Sequence, residues 1–431
     1  ATADIAPGQH VHTHNLQFET FARDYAIGAD LRPTPAPGAP ATFQGIVRAD
    51  GRVATRNYIG VISTVNCSAS VSKYVAAHFT PERLANFPNV DGVVPITHST
   101  GCGMGSTGAG IDVLRKTIAG YCRHVNFAGV VIIGLGCESN QLDALVAELP
   151  AERRGAIRTL IAQKSADEIV EGEALVDELV AQTAKRRVAV GLDKLVLGVK
   201  CGGSDGFSGL TANPLVGQMS DRVAGAGGRV ILTEIPEIFG AEQLLMARAA
   251  SPAVFDAIGA MVNDFKQYFT RHGEPVSENP SPGNIAGGIT TLEEKSLGAV
   301  QKGGNAPVVD VIGYGAQASL AGLTLLEAPG NDAVSTTALA AAGATLILFT
   351  TGRGTPLGAP VPTLKIASNS ALADAKPGWI DFDAGATLAQ GMAASADALL
   401  GRIVAIASGA PTAAERNDER EMAIWKRGVT L

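Results

Sequence analysis

The sequence is poor in aromatic side chains and in runs of one charge. Its 431 residues include 13 Phe, 6 Tyr and 2 Trp, against 51 Gly. No Lys- or Arg-rich run occurs, and the formal net charge is −7. A nucleic-acid surface needs a clustered basic face, so that class of partner is excluded. A bilayer span is excluded too. The longest uncharged stretch, 333–352, carries Ser335, Thr336, Thr337, Thr345, Thr350 and Thr351, too polar for a membrane helix. It reads as a buried helix, a turn at Gly343 and the strand ATLILFT. No basic segment followed by an apolar core opens the chain, so no export signal is read. Cys67, Cys102, Cys122, Cys137 and Cys201 form no C-x-x-C pair and no dense disulfide framework. That favours a reducing cytoplasm and thiols kept for other work.

What is present suits a globular protein. Hydrophobic content is 46% with 17% charged residues, ordinary for a folded chain. The length suggests two or three domains. Residues 1–20 contain the alternating run HVHTHN and read as the tail strand of something already under way. Residues 21–42 are a Pro/Ala-rich linker. From Phe43 onward, β-branched runs alternate with helical stretches: NYIGVIST, VDGVVPIT and GVVIIGL, then KLVLGVK, GRVILTE, VVDVIGY, ATLILFT and TLKIAS. This predicts an α/β fold of two lobes, 43–187 and 188–431, with mostly parallel sheets flanked by helices and an inter-lobe site built from strand-end loops. The charged segment 150–187 is expected to be a helical connection at the seam. Residues 272–288 form a long break, a candidate active-site loop, ending at Thr291 and Glu294, which read as a capping box.

In an open α/β sheet, ligands bind beyond the carboxyl ends of the strands. The strand NYIGVIST runs into Asn66 and Cys67, VDGVVPIT into His98 and Cys102, GVVIIGL into Cys137 and Glu138, and KLVLGV into Lys200, Cys201, Ser204 and Asp205. Singly, a Cys is a small apolar residue and commonly buried. Four at equivalent topological points, each beside Gly, Asn, Glu or Asp, point to a ligand cradle. Thiolates suit soft or borderline metals, iron among them, or an iron–sulfur cluster. Cys122 lies inside a helical stretch and is expected to be structural.

Three further features carry chemistry. If HVHTHN is extended, His10, His12 and His14 share one face, and imidazoles are both metal ligands and general bases near pH 7. The glycine-rich loop 101–110 lies between a strand and a helix, where a dinucleotide fingerprint would lie. The acidic ribose ligand about 20 residues on is missing, however. Arg353, between two Gly, can fork onto a carboxylate.

The segments GIVRADGRVATRNYIGVISTVNCSASV, THSTGCGMG, GLGCESNQ, KCGGSDGFSGLTANP and TTGRGTP together resemble the altronate/galactarate dehydratase family of sugar-acid lyases, and are closer to the altronate members. The resemblance runs from Gly45 to about Gly385. It implies dehydration of D-altronate to 2-dehydro-3-deoxy-D-gluconate in hexuronate catabolism, with Fe2+ or Mn2+ as cofactor. Galactarate or a related aldarate is the alternative substrate. It also implies that the opening residues are the tail of a small SAF-type domain.

Removing the proton alpha to a carboxylate creates a dianion that a divalent cation would stabilise. Cys67, Cys102 and Cys137 are the expected metal cradle, with Cys201 and His98 as further ligands. His12, His14, His98 and Glu138 are the expected acid and base groups. Asn66, Lys200, Ser204, Asp205 and Arg353 are expected to hold the polyhydroxy acid. A homodimer is the default assembly. Two readings from other classes stand beside this one: an NAD-linked sugar-acid oxidoreductase resting on the 101–110 loop, and a binding subunit that needs a separate SAF-type partner.

Overall fold

The structure is a computed structural model that describes residues 4–6, 27, 28, 30, 31, 41–184 and 186–427. The expected tail strand with His10, His12 and His14, and nearly all of the linker, lie outside the described residues.

The first lobe is a four-stranded parallel sheet. Its strands are β3 (Tyr58–Ser63), β4 (Gly92–Ile96), β5 (Phe127–Gly134) and β6 (Ile157–Ile161), in the order β4-β3-β5-β6. Every residue of β3 is buried, as expected of a parallel strand covered on both faces. Helices α1 (Ala69–Ala77), α2 (Ala109–Arg123) and α3 (Glu168–Gln182) supply that cover. A small antiparallel sheet joins β1 (Thr42–Val47) to β2 (Val53–Ala54) and to β7 (Arg187–Gly191).

The second lobe is a seven-stranded parallel sheet. It comprises β8 (Val196–Cys201), β9 (Arg229–Leu232), β10 (Val308–Ile312), β11 (Gly322–Leu326), β12 (Leu346–Thr351), β13 (Thr363–Ala367) and β14 (Phe382–Asp383), in the order β10-β11-β9-β8-β12-β13-β14. The uncharged stretch resolves into helix α4 (Asp332–Ala341), a left-handed Gly343 (φ +103°) and β12. None of the described helices is long and apolar enough to cross a membrane.

Two local expectations need correction. Segment 150–187 is not wholly helical, because β6 lies inside it. Ile157 and Leu160 are buried while Thr159 is exposed; the charged flanks mask this short edge strand. Nor is that segment the seam. The seam is α2 against α4, where a Cβ on Gly120 would meet Ala341 O at 2.6 Å. Beside it, Thr55 Oγ1 donates to Thr345 O (2.8 Å) and Asn126 Nδ2 to the same carbonyl (3.1 Å).

The strand orders locate the ligand-binding positions. From β3 the chain steps to β4 on one side and later returns to β5 on the other. From β8 it goes outward to β9 and later returns to β12. Each sheet therefore has a topological switch point, where loops diverge and leave a crevice beyond the carboxyl ends. The first lies between Ser63 and Gly134, the second between Cys201 and Thr351.

Candidate active site

At the first switch point, β3 passes into a 3-10 turn, Asn66–Ser68, that presents Cys67 to solvent. Ser68 Oγ donates to Ile133 O (2.8 Å), tying the turn to β5. The Asn66 N–H donates to Thr100 O (2.8 Å), tying it to the loop that bears Cys102. That approach requires glycine. Gly101 has φ +102°, and a Cβ there would lie 3.0 Å from Thr64 O and Val65 Cα.

Glu138 closes the arrangement from the β5 side. Its carboxylate accepts from Thr64 Oγ1 (2.6 Å) and from the N–H groups of Leu135 (3.0 Å) and Gly136 (2.6 Å). Desolvation alone would raise its pKa, but the Thr64 hydroxyl and these N–H groups outweigh that and hold it below the usual carboxylate range. Glu138 is thus an ionised clamp between two loops, poorly suited to give up a proton.

The three thiols of this edge are neighbours, although their sulfurs do not all lie within 4.8 Å of one another. Cys67, Cys102 and Cys137 are all exposed. Desolvation, a hydrogen bond with Cys102, and the charges of Cys102, Cys137 and Glu138 push the Cys67 thiol up. Asn66 Oδ1 accepts from Cys67 Sγ (3.7 Å), and Gln163 Nε2 donates to Cys137 Sγ (3.7 Å). The neighbouring thiols disfavour the Cys67 anion, and a bound cation would reverse that. By that test the three cysteines fit a soft metal or cluster.

His98 is placed differently from the sequence expectation. It is buried, its Nε2 faces Ser63 O (3.0 Å), and its Nδ1 accepts from the Thr100 N–H (3.3 Å). Burial lowers its pKa to about 4. With both ring nitrogens on backbone groups it stays neutral at pH 7 and holds the loop, leaving no nitrogen for a metal or a proton transfer.

At the second switch point Asp205 and Arg353 line one crevice of about 460 Å³, together with Ser368, Asn369, Ser370 and Leu388. Asp205 accepts from Ser208 Oγ (2.8 Å), Ser368 Oγ (2.7 Å) and Asn369 Nδ2 (3.0 Å). Arg353 is exposed and uses one N–H on Gly283 O (3.1 Å). The 272–288 loop packs here, with Asn284 Nδ2 donating to Ser204 O (2.9 Å). Its capping box is half formed. Thr291 accepts from the Glu294 N–H, whereas the Glu294 carboxylate reaches Thr290.

Lys200 and Cys201 do not reach either crevice. Lys200 is fully buried, with Nζ 2.7 Å from Asp332 Oδ1, 3.1 Å from Glu234 Oε1 and 3.0 Å from Ser335 Oγ. Cys201, 1% exposed, has Glu234, Glu237, Lys302 and Lys295 as its charged neighbours, all from the second lobe. The structure therefore does not bring Cys201 to the other three thiols. Cys201, Glu234 and Glu237 do offer donor atoms within 4.8 Å of one another, the one such group among the described residues. But Lys302 Nζ sits 2.7 Å from the sulfur and 3.1 Å from Glu234 Oε2. The cation of that triangle is already an ammonium, so Cys201 does not fit a metal.

Sequence reading missed this network's other members. Lys295 pairs with Glu237 (2.8 Å), and Glu234 holds a left-handed backbone (φ 69°), a strained conformation for a side chain other than Gly. Glu234 and Glu237 could have been found as two carboxylates just past a strand. Lys295 and Lys302, on a distant helix and the turn after it, carried no local signal.

Comparison with known proteins adds the decisive observation. Residues 45–184 match the family described as D-galactarate dehydratase/altronate hydrolase, second domain, and residues 192–430 match D-galactarate/altronate dehydratase, C-terminal. The chain belongs to the D-galactarate/altronate dehydratase family. It is thereby a hydro-lyase. It is 46% identical over 440 residues to the altronate dehydratase of Escherichia coli, covering 100% of this chain and 87% of that protein. With the altronate dehydratase of Bacillus subtilis it shares 43% over 436 residues, with the same coverage. The galactarate dehydratase (L-threo-forming) of Escherichia coli is more distant, 35% identical over 371 residues, or 83% of this chain and 71% of the relative.

Proposed function

We propose that this hydro-lyase converts D-altronate to 2-dehydro-3-deoxy-D-gluconate and water in hexuronate catabolism, working as a homodimer in a reducing cytoplasm. The observation that carries the reading is the cluster of three exposed thiols at the switch point of the first sheet, in a chain similar to altronate dehydratases over its full length.

Cys67, Cys102 and Cys137 would hold Fe2+, Mn2+ or an iron–sulfur cluster, which when bound supplies the positive charge that stabilises a carboxylate dianion. The chain's own groups do the rest. The Asn66 amide, beside Cys67, orients hydroxyls. Glu138 keeps two of the three thiol-bearing loops in register. Arg353 takes the carboxylate as a fork, and Asp205 with Asn369 shapes the crevice for the polyol. Proton transfer at C2 and at the departing hydroxyl falls to His12 and His14.

The test pairs metal analysis with D-altronate turnover, with galactarate assayed alongside. The expected result is activity that tracks bound iron or manganese and is lost in metal-free protein. Full turnover without metal would overturn the cofactor reading. For the second crevice, Arg353→Ala is expected to raise KM for D-altronate about tenfold or more, the order of one lost charge-assisted contact, with kcat changed less. An unchanged KM would remove this crevice from the substrate's path.

A further inference from the structure

The dehydration reading leaves one buried nucleophile without a task. Cys201 ends β8, and its Sγ lies 2.7 Å from Lys302 Nζ and 2.8 Å from Glu237 Oε2. A nitrogen 2.7 Å from an oxygen is at the short end of an ordinary hydrogen bond. Sulfur is the larger atom, so the same separation to sulfur is unusually close. A single oxygen atom bonded to both would span roughly 2.6 Å between nitrogen and sulfur, given ordinary N–O and S–O single bonds. The side chains thus already stand at the separation of an oxygen-bridged pair.

We propose that Cys201 and Lys302 form a reversible covalent N–O–S cross-link under oxidation, a modification site independent of the thiols at the first switch point. The oxidant is dioxygen, and the net change balances. The thiol, the ammonium and one O2 give the S–O–NH bridge, one water and one proton. The S–H bond, two N–H bonds and the O–O bond break, two of the three hydrogens leaving in the water and one as the proton, and new S–O, O–N and water O–H bonds form. Sulfur loses two electrons and nitrogen two, and one oxygen atom leaves as water. The released proton has an acceptor in place, because Glu234 Oε2 lies 3.1 Å from Lys302 Nζ. The surroundings suit that transfer. Burial raises the Glu234 carboxyl above its usual range, so the loss of a cation and the neutralisation of a carboxylate occur together.

The other buried thiol is a built-in control. Cys122 has the guanidinium groups of Arg153 and Arg123 as its charged neighbours, and these are poor nucleophiles.

The experiment uses the unmodified full chain, exposed to air or reduced with excess dithiol, and digested with a protease that cuts at carboxylates. In the aerated sample, peptides bearing Cys201 and Lys302 are expected to be joined. Their combined mass should rise by about 14 Da, one oxygen gained and two hydrogens lost. The joined species should vanish in the reduced sample and in protein unfolded before aeration. Recovery of the two peptides unlinked from folded, aerated protein would overturn the proposal. So would a joined pair about 2 Da lighter than the sum, which is a direct S–N bond. Because the readout is mass and not turnover, its failure leaves the dehydratase reading untouched.

Discussion

Replacing Cys67, Cys102 or Cys137 by Ser is expected to lower D-altronate turnover by about a hundredfold or more while leaving the fold intact. Even the outer partners of metal ligands cost about 10–100-fold when removed, and a thiolate ligand should cost at least the upper figure. A hydroxyl is a poor substitute because it does not ionise near pH 7 and is harder than sulfur. Stability should barely move, since all three side chains are exposed and surface substitutions usually fall within about 0.5 kcal/mol.

Cys122→Ser should invert the pattern. Cys122 is fully buried in α2, so a hydroxyl there costs about 1–3 kcal/mol if unpartnered, yet kcat per folded molecule should hold. Turnover and thermal melting of the four variants, measured together, decide the matter. If any of the three exposed-thiol variants keeps wild-type turnover, that residue has no part in the cradle. If all three do, the reaction rests on His12, His14 and Asp205.

The parts of the molecule that were legible from sequence are those where one local rule applies. Eight strands could be read from β-branched runs bounded by Gly and Asp, and the thiols were found because a strand's carboxyl end can be located without knowing its neighbours. The strands that were missed had weaker local signals. In β11, GLTLL reads as readily as part of a helix as of a strand. In β6, Arg158 interrupts the apolar run, so the segment resembled the charged helices on either side. The second network was hidden for a different reason. Its lysines reach Glu234 and Glu237 only because the sheet folds β8 and β9 side by side and carries the turn Val300–Gly303 back over them. Lys200 and Cys201 misled for the same reason. Successive strand residues point to opposite faces, but nothing in KLVLGVKC says which face is a crevice and which a core. His98 likewise carried no sign that both its nitrogens face backbone.

That network sets the second large effect. Lys200→Met is expected to destabilise the second lobe by about 3–5 kcal/mol, the cost of leaving a buried charge without its partner. Two carboxylates lose the ammonium, but they are not equal. The Asp332 side chain is 32% exposed and can recover water, whereas Glu234 is 0% exposed and cannot. The penalty therefore concentrates on Glu234, which would retain Lys302 alone. Glu234 also donates shape. Its Oε2 accepts from the Cys201 N–H (2.8 Å), so the strained left-handed residue is held where it is by the end of β8 on one side and two lysines on the other. If burial of a carboxylate left with one of its two lysines is the cause, adding Glu234→Gln to Lys200→Met should recover part of the loss, since the under-compensated charge is gone. A coupling of about 1–3 kcal/mol between the two changes is then expected, read from urea midpoints of the single and double variants. Purely additive losses would mean that Lys200 acts through packing against Phe349, whose ring centroid lies 4.7 Å from its Nζ, and not through Glu234.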